Sequence, residues 1–182
     1  MPRHVVLLRG INLAHNNRIG MSDLRAALEA DGFADVKTFI QSGNIVLSSN
    51  AATERVAGDV NALIKKRFGL EIAVVVRSRV ELAAVVRRNP LAKVASDPKR
   101  YLVTFMSAQV PREVVVRLTA AAAPQEQFKV IGREVYSWHP EGVGRSSLWE
   151  RLGAKSPGIA ATSRNWSTVT TLLAIAHETT SR

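Results

Sequence analysis

Polar side chains suited to ligand binding stand in short loops of this sequence, next to apolar segments. Their guanidinium groups can hold a carboxylate or phosphate through paired hydrogen bonds, and their amides can orient a ligand. The set comprises Arg9, Asn12, Gln41, Ser42, Asn44, Arg164, Asn165 and Trp166. None of these residues is an obvious general base. The set therefore predicts a binding site for a polar or anionic small molecule and leaves the reaction open.

The first of these loops has the layout of a phosphate-binding loop, because an apolar run is followed by Gly10 and then by a helix start. The spacing argues against that function. No Gly-Lys-Ser/Thr sequence is present, and Gly10 and Gly20 lie too far apart for a dinucleotide fingerprint. Asp23 in the first helical turn already complements the helix dipole. We therefore predict no nucleotide cofactor here. The alternative to a phosphate-binding loop is an Asn-rich loop with left-handed turns.

The four histidines are scattered and show no pair at metal-ligand spacing, so no metal site is predicted. A Ser–His–acid triad stays open, although the sequence contains no G-x-S-x-G elbow. His139 stands beside Pro140 and Glu141, which is typical of a polar loop residue.

The segment Thr162–Ala176 predicts a helix that begins near Asn165, with Trp166 on its apolar face. Two interpretations of its start remain open. Arg164 and Asn165 are placed to face a cleft at the helix entrance. Alternatively, Trp166 anchors the core and Asn165 caps the helix.

A formal charge of +10 suits a polyanionic partner, although a basic genome composition would produce the same value. The cations concentrate in one segment that also offers few aromatic side chains for base stacking. They are Arg77, Arg79, Arg87, Arg88, Lys93, Lys99 and Arg100. This segment predicts, as an alternative function, a nucleic-acid-binding surface.

The composition excludes several classes of protein. The chain has 182 residues, 46% of them hydrophobic, which is typical of a folded globular protein. The absence of cysteine excludes disulfides, thiolate nucleophiles and iron–sulfur clusters. No apolar run is long enough for a secretory signal or a membrane span. These features predict a soluble cytoplasmic protein without a membrane partner.

The order of the predicted elements favours an α+β fold with two ferredoxin-like (alpha-beta plait) halves. Residues 1–88 show the order β-α-β-β-α-β followed by a connecting helix. Residues 89–182 repeat β-α-β-β, with the last strand unassigned and a final helix in its place. The Pro-containing stretch 89–99 is a plausible junction, and the two halves are also compatible with one compact unit. Ser22, Thr53 and Ser78 are predicted to cap helices, and the turn residues Ser42-Gly43-Asn44 and Gly132-Arg133 each predict a β-hairpin.

Four stretches together resemble one bacterial family, catalogued as domain of unknown function 1697. They are "LLRGIN" with "M..LR", "IQSGNIVLSS", "P.G.GRS.L" and "TSRNWSTV". The resemblance covers essentially the whole chain and implies two intertwined alpha-beta plait halves without an established activity. The family motif positions fall on Arg9, Gly10, Asn12, Met21, Gln41, Ser42, Gly43, Asn44, Gly144, Arg164, Asn165 and Trp166.

Three departures from the family pattern weaken a phosphate-binding interpretation. The first loop of the family usually reads Gly-Gly-Lys, whereas this chain has Ala14-His15-Asn16. Family members often have lysine where this chain has Ser147 and Thr171. Three hypotheses remain: a small-molecule site at the strand-end loops between the halves, a nucleic-acid-binding module, and a structural homo-oligomer without catalysis.

Overall fold

A computed structural model describes residues 1–13, 17–154 and 156–178. The described residues divide into two units. Unit 1 contains residues of Met1–Ala84 and of the C-terminal segment from Thr171, and unit 2 is Val85–Thr170. The loop Ala14–Asn16, in which this chain departs from the family pattern, lies outside the described residues.

Unit 1 contains a four-stranded antiparallel sheet with two helices on one face. Its elements are β1 (Arg3–Leu8), α1 (Met21–Ala30), β2 (Ala34–Phe39), β3 (Asn44–Ser48), α2 (Thr53–Phe68) and β4 (Val74–Ser78), with strand order β2-β3-β1-β4. Val56, Val60 and Ile64 recur at helical spacing and are fully buried, because this face of α2 packs on the sheet.

Unit 2 contains a second sheet of the same type. Helix α3 (Arg79–Arg88) crosses the boundary between the units, and β5 (Tyr101–Met106), α4 (Arg112–Ala121), β6 (Gln127–Ile131) and β7 (Glu134–Trp138) follow. A 3₁₀ turn (Val143–Arg145), α5 (Ser147–Gly153), β8 (Ala161–Asn165) and α6 (Trp166–His177) complete the order. The strand order is β6-β7-β5-β8. The predicted α+β fold with two ferredoxin-like halves is confirmed.

Strand β8 is the element that the sequence left unassigned in the second half. It pairs antiparallel with β5, with Arg164 opposite Val103 and Thr162 opposite Phe105. Its buried positions are Thr162 and Arg164. Because neither is apolar, the strand lacks the hydrophobic alternation by which strands are recognised.

The predicted hairpins agree with the structure, whereas some predicted helix starts do not. Gly132 and Arg133 join β6 to β7, as predicted. Helix α1 begins at Met21, so Ser22 lies inside the helix and does not cap it. Thr53 is the first residue of α2, and Ala52 occupies the cap position without a side-chain hydrogen bond.

Ser78 does cap α3, through a reciprocal pair of hydrogen bonds with Glu81. The backbone amide of Glu81 donates to Ser78 Oγ at 3.2 Å, and the backbone amide of Ser78 donates to Glu81 Oε2 at 2.7 Å. This is a capping box, which satisfies amides that the first helical turn cannot bond internally.

We predict that Ser78→Ala lowers the free energy of unfolding by about 1 kcal/mol, because it removes a cap acceptor. Ser22→Ala is the matched control. Ser22 is exposed inside a helix, so its replacement is expected to be neutral or slightly stabilising. Urea unfolding of both variants checks this, and equal losses in the two variants would contradict the assignment of the cap.

Candidate functional site

The loop after β1 is attached to neighbouring strands at the point where it leaves the sheet. The amide of Leu8 donates to the carbonyl of Gly43 at 2.9 Å, and the amide of Arg9 donates to the carbonyl of Ala73 at 3.0 Å. Gly10 follows with φ of +65°, a conformation that glycine adopts without strain. The start of the loop is therefore fixed by the sheet itself.

The side chain of Asn12 joins this loop to the turn between β2 and β3. Asn12 Nδ2 donates to the carbonyl of Gln41 at 2.8 Å and to the carbonyl of Ile19 at 2.9 Å. Its Oδ1 accepts the amide of Ile19 at 2.9 Å. Both hydrogens of the amide group are thus used, so we assign Asn12 as a positioning residue.

The turn that Asn12 reaches, residues 40–43, contains an unusual backbone conformation. Ile40 has φ of +49° although it is β-branched, and 53% of it is exposed. Such a conformation costs roughly 1–3 kcal/mol and persists only where the surroundings impose it.

Gly43 and Asn44 fix the other end of the turn. A Cβ at Gly43 would stand 2.7 Å from Leu8 Cβ and 2.9 Å from Ile11 Cδ1, and its φ is +79°. The fully buried Asn44 donates through Nδ2 to the carbonyl of Phe39 at 3.1 Å and to Ser42 Oγ at 2.9 Å. Only glycine fits this close approach between the turn and β1.

Five of the predicted site residues therefore belong to one cluster in unit 1. Asn12 and Asn44 hold the loops together through side-chain hydrogen bonds to backbone carbonyls. Arg9 and Ser42 are half-buried and Gln41 is exposed, so these three side chains are accessible to a ligand. We call Arg9, Gln41 and Ser42 with their two supporting asparagines the loop cluster.

The remaining three predicted residues lie in unit 2 and make local contacts there. Arg164 is 8% exposed and donates to Thr162 Oγ1 and the Ser163 carbonyl, both at 2.8 Å; burial lowers its pKa to about 10. Asn165 Oδ1 accepts the amide of Thr168 at 2.9 Å. Trp166 stacks on Tyr101 with ring centres 4.8 Å apart. The structure thus gives Asn165 the capping role that the sequence left as an alternative.

The predicted basic surface loses one member. Arg77 is 1% exposed and donates to the carbonyl of Val76, so it presents no charge at the surface. The other six cations, Arg79, Arg87, Arg88, Lys93, Lys99 and Arg100, are exposed. Arg88 lies 3.8 Å from the Glu134 carboxylate.

His139 is not the polar loop residue that its neighbours suggest, because it is fully buried just after β7. Its Nδ1 lies 2.9 Å from Ser146 Oγ and 3.3 Å from Glu126 Oε1, and its Nε2 lies 2.9 Å from Ser137 Oγ. The carboxylate favours a proton on Nδ1, which leaves Nε2 to accept from the Ser137 hydroxyl. With its proton there, Nδ1 cannot serve as the base that a Ser146 nucleophile would need.

Charge in this network follows from burial and hydrogen bonding. Burial lowers the pKa of His139, although Glu126 opposes that effect, so the imidazole is neutral. Burial acts to raise the pKa of Glu126, but donors that include Ser146 and the Ala123 amide outweigh it, and the pKa lies below its ordinary value. Ser146 Oγ also accepts the Trp149 amide at 2.9 Å and thereby caps α5. We assign the network a positioning role for this cap.

No pattern in the sequence identified Glu126, Ser137 and Ser146 as partners of His139. Glu126 lies 13 residues from His139, on the far side of a hairpin. The register of β6 and β7 is the signal that indicates this contact. Gln127 pairs with Trp138, and this pairing brings Glu126, which precedes Gln127, close to His139, which follows Trp138.

In the described ranges, no group of three or more His, Cys, Asp or Glu residues could hold a metal ion. Over those same ranges, no helix is both long enough and apolar enough to span a membrane.

The family assignment follows from a comparison of the sequence with family models. A family described as "Protein of unknown function (DUF1697)" matches residues 1–136. The chain belongs to this family. The family description names no activity, and no curated protein matches the chain.

A solved structure shares the fold of this family member. It is the conserved bacterial protein SP0830 from Streptococcus pneumoniae, with a TM-score of 0.75 and 20% sequence identity over 96% of this chain and 98% of that chain. At this level of identity the comparison shows a common fold.

We predict that Gly43→Ala destabilises the protein by about 2–4 kcal/mol, because a Cβ there adds overpacking to an unfavourable φ. Gly10→Ala is the matched control. Its φ is similarly positive, but a Cβ there meets no atom of the described residues within 4 Å, so we expect a loss of only about 1 kcal/mol. Chemical unfolding of both variants gives the comparison, and a Gly43→Ala loss no larger than that of Gly10→Ala would contradict the close approach.

Proposed function

We propose that the protein binds a polar or anionic small molecule at the loop cluster of unit 1. The observation that carries this proposal is the exposed Ile40 turn, which is strained and yet held from several sides. Backbone strain of this kind is found mainly at functional sites, where a ligand needs a fixed geometry.

The hydrogen bonds around Ile40 explain how the strained turn persists. The carbonyls of Phe39, Gln41 and Gly43 each accept a hydrogen bond, from Asn44 Nδ2, Asn12 Nδ2 and the Leu8 amide respectively. Every second carbonyl along the turn is thus tied to a neighbouring element. Two of these bonds come from asparagine side chains, and the turn is therefore formed before any ligand arrives.

The chemistry of the accessible side chains defines the ligand class. Arg9 supplies a guanidinium, Gln41 an amide and Ser42 a hydroxyl, all of which can donate hydrogen bonds. A guanidinium binds a carboxylate or phosphate with two parallel hydrogen bonds. These donors favour an oxygen-rich anion over a cation or an apolar molecule.

Arg164, Asn165 and Trp166 stay predicted ligand contacts, but the proposal does not depend on them. The side chains of Arg164 and Asn165 already bond to their own strand and helix. Arg9, Gln41 and Ser42 are sufficient to recognise the anionic group.

A second candidate function is polyanion binding by unit 2. The segment Val85–Thr170 contains 13 of the 25 Lys and Arg residues and only 6 of the 15 Asp and Glu residues, which gives it a formal charge of +7. Arg87, Lys93 and Lys99 are exposed and make no side-chain hydrogen bond or ion pair with any described residue. This charge supports nucleic acid as the alternative partner.

We also infer that the protein works in the cytoplasm. Its 182 residues include no cysteine, which is in keeping with a compartment in which thiols are kept reduced.

We predict that a small oxyanion raises the melting temperature of the wild-type protein, and that Arg9→Gln abolishes this effect. The panel contains phosphate, sulfate, acetate, oxalate and citrate at constant ionic strength. A ligand present at tenfold its Kd stabilises by about 1.4 kcal/mol, or roughly 3–6 °C for a chain of this size. Arg67→Gln, which removes an exposed guanidinium from α2 of the same unit, should leave the effect intact.

A 20-nucleotide single strand in the same assay separates the two candidates. Polyanion binding would be strongest with the oligonucleotide, would weaken steeply with salt and would not depend on Arg9. That result, or equal loss of anion binding in Arg9→Gln and Arg67→Gln, would contradict the loop cluster as the binding site.

A further inference from the structure

A concave site lies in unit 2. Residues 143–147, 149 and 150 line an open cavity of about 640 Å³, which is within the range of roughly 300–1,000 Å³ that small-molecule sites occupy. Its walls include Arg145, Ser146, Ser147, Trp149 and Glu150. One continuous segment, made of the 3₁₀ turn and the start of α5, therefore forms the whole cavity.

The buried network around His139 fixes two of these walls. Ser146 is 8% exposed and is held between His139 Nδ1 and the Trp149 amide, each 2.9 Å from its Oγ. The rings of Trp149 and His139 are perpendicular to each other, with ring centres 6.3 Å apart. The indole is half-buried, so it is anchored on one side and reaches the cavity on another.

Two opposite charges line the same cavity without neutralising each other. Arg145 and Glu150 are exposed, and within the described part of the chain neither side chain makes an ion pair or hydrogen bond. An oppositely charged pair that shares a cavity but forms no salt bridge leaves both groups available to a ligand that carries both signs.

We propose that this cavity binds a small zwitterion, which carries a carboxylate and an ammonium group on one molecule. Arg145 pairs with the carboxylate, since its guanidinium offers two parallel donors. Glu150 pairs with the ammonium group, and the face of Trp149 attracts the same positive charge by a cation–π interaction. Free amino acids and quaternary betaines share this chemistry.

The arrangement of charge disfavours the simpler ligands. A phosphate or nucleotide would bring two or more negative charges beside Glu150. A simple cation would leave Arg145 unpaired and repelled by the ligand. A zwitterion satisfies both side chains without adding net charge to the cavity, and it uses a carboxylate and an indole, which the loop cluster of unit 1 does not contain.

The indole N–H signal of Trp149 in a proton–nitrogen correlation spectrum provides the test. The chain has three tryptophans, and Trp149→Phe identifies the signal. The full-length protein is titrated with glycine betaine, L-alanine and L-glutamine, and separately with acetate and with tetramethylammonium chloride. We expect a saturable shift of the Trp149 signal with at least one zwitterion. Acetate and tetramethylammonium should bind about tenfold more weakly or not at all.

Single substitutions locate the contacts. Arg145→Gln and Glu150→Gln are each expected to weaken zwitterion binding about tenfold, because each removes one charge-assisted interaction. Arg112→Gln and Glu113→Gln, which neutralise exposed charges on α4, serve as matched controls and should bind as the wild type does. Melting curves establish that all four variants are folded.

A Trp149 shift with betaine but not with the amino acids identifies a quaternary ligand, and the reverse identifies a primary ammonium; both support the proposal. Three results would overturn it: no shift with any zwitterion, an equal shift with acetate or tetramethylammonium alone, or unchanged affinity in Arg145→Gln and Glu150→Gln. Because none of these residues belongs to the loop cluster, loss of zwitterion binding is independent of the oxyanion experiment.

Discussion

The amide side chain of Asn12 is the interaction on which the candidate site depends. It connects two loops that lie 29 residues apart in the sequence, and its donors and acceptor are all engaged with backbone groups of Ile19 and Gln41. An asparagine can do this because it tolerates a positive φ, here +54°, and offers both hydrogen-bond donors and an acceptor on a short side chain. Without it, the strained turn at Ile40 would lack the hydrogen bond at its centre.

In unit 2 a different set of polar side chains also holds a loop in place. There the buried His139 lies between Glu126, Ser137 and Ser146, and Ser146 in turn caps α5. In both units a hydrogen-bonded polar side chain fixes a loop that carries exposed charged or polar groups; Asn12 is half-buried and His139 is fully buried. A fully satisfied buried network gives one defined geometry, because any rearrangement leaves a polar group unpaired in an apolar surrounding.

The parts of the fold that depend on local sequence patterns could be predicted from the sequence. The hairpin at Gly132 and the helix cap at Ser78 depend on residues close in sequence, and both agree with the structure. Strand β8 was missed because its buried positions, Thr162 and Arg164, are polar. Its burial depends on pairing with β5, which is about 60 residues away, and on neighbours that no local window contains.

The candidate site could be predicted from the sequence only in part. The residue types and their family motif positions selected Arg9, Asn12 and Gln41, but they could not separate accessible side chains from supporting ones. Asn12 and Asn44 were predicted to contact a ligand, whereas the structure shows both engaged in holding the loops. The distinction depends on backbone partners such as the carbonyls of Phe39 and Gln41, whose positions follow from the tertiary fold.

Native-state hydrogen exchange of Asn12→Asp shows whether Asn12 holds the Ile40 turn against β1. Aspartate keeps the tolerance for positive φ and the acceptor for the Ile19 amide, but it cannot donate to Gln41 and places a charge against that carbonyl. The reporter is the Leu8 amide, which donates to Gly43 at 2.9 Å and does not touch Asn12, with the Val6 amide as an internal reference. We predict that the Leu8 amide of Asn12→Asp exchanges at least about tenfold faster than the Leu8 amide of the wild type, when both rates are taken relative to the Val6 amide. Unchanged protection of Leu8 in a folded Asn12→Asp protein would contradict it.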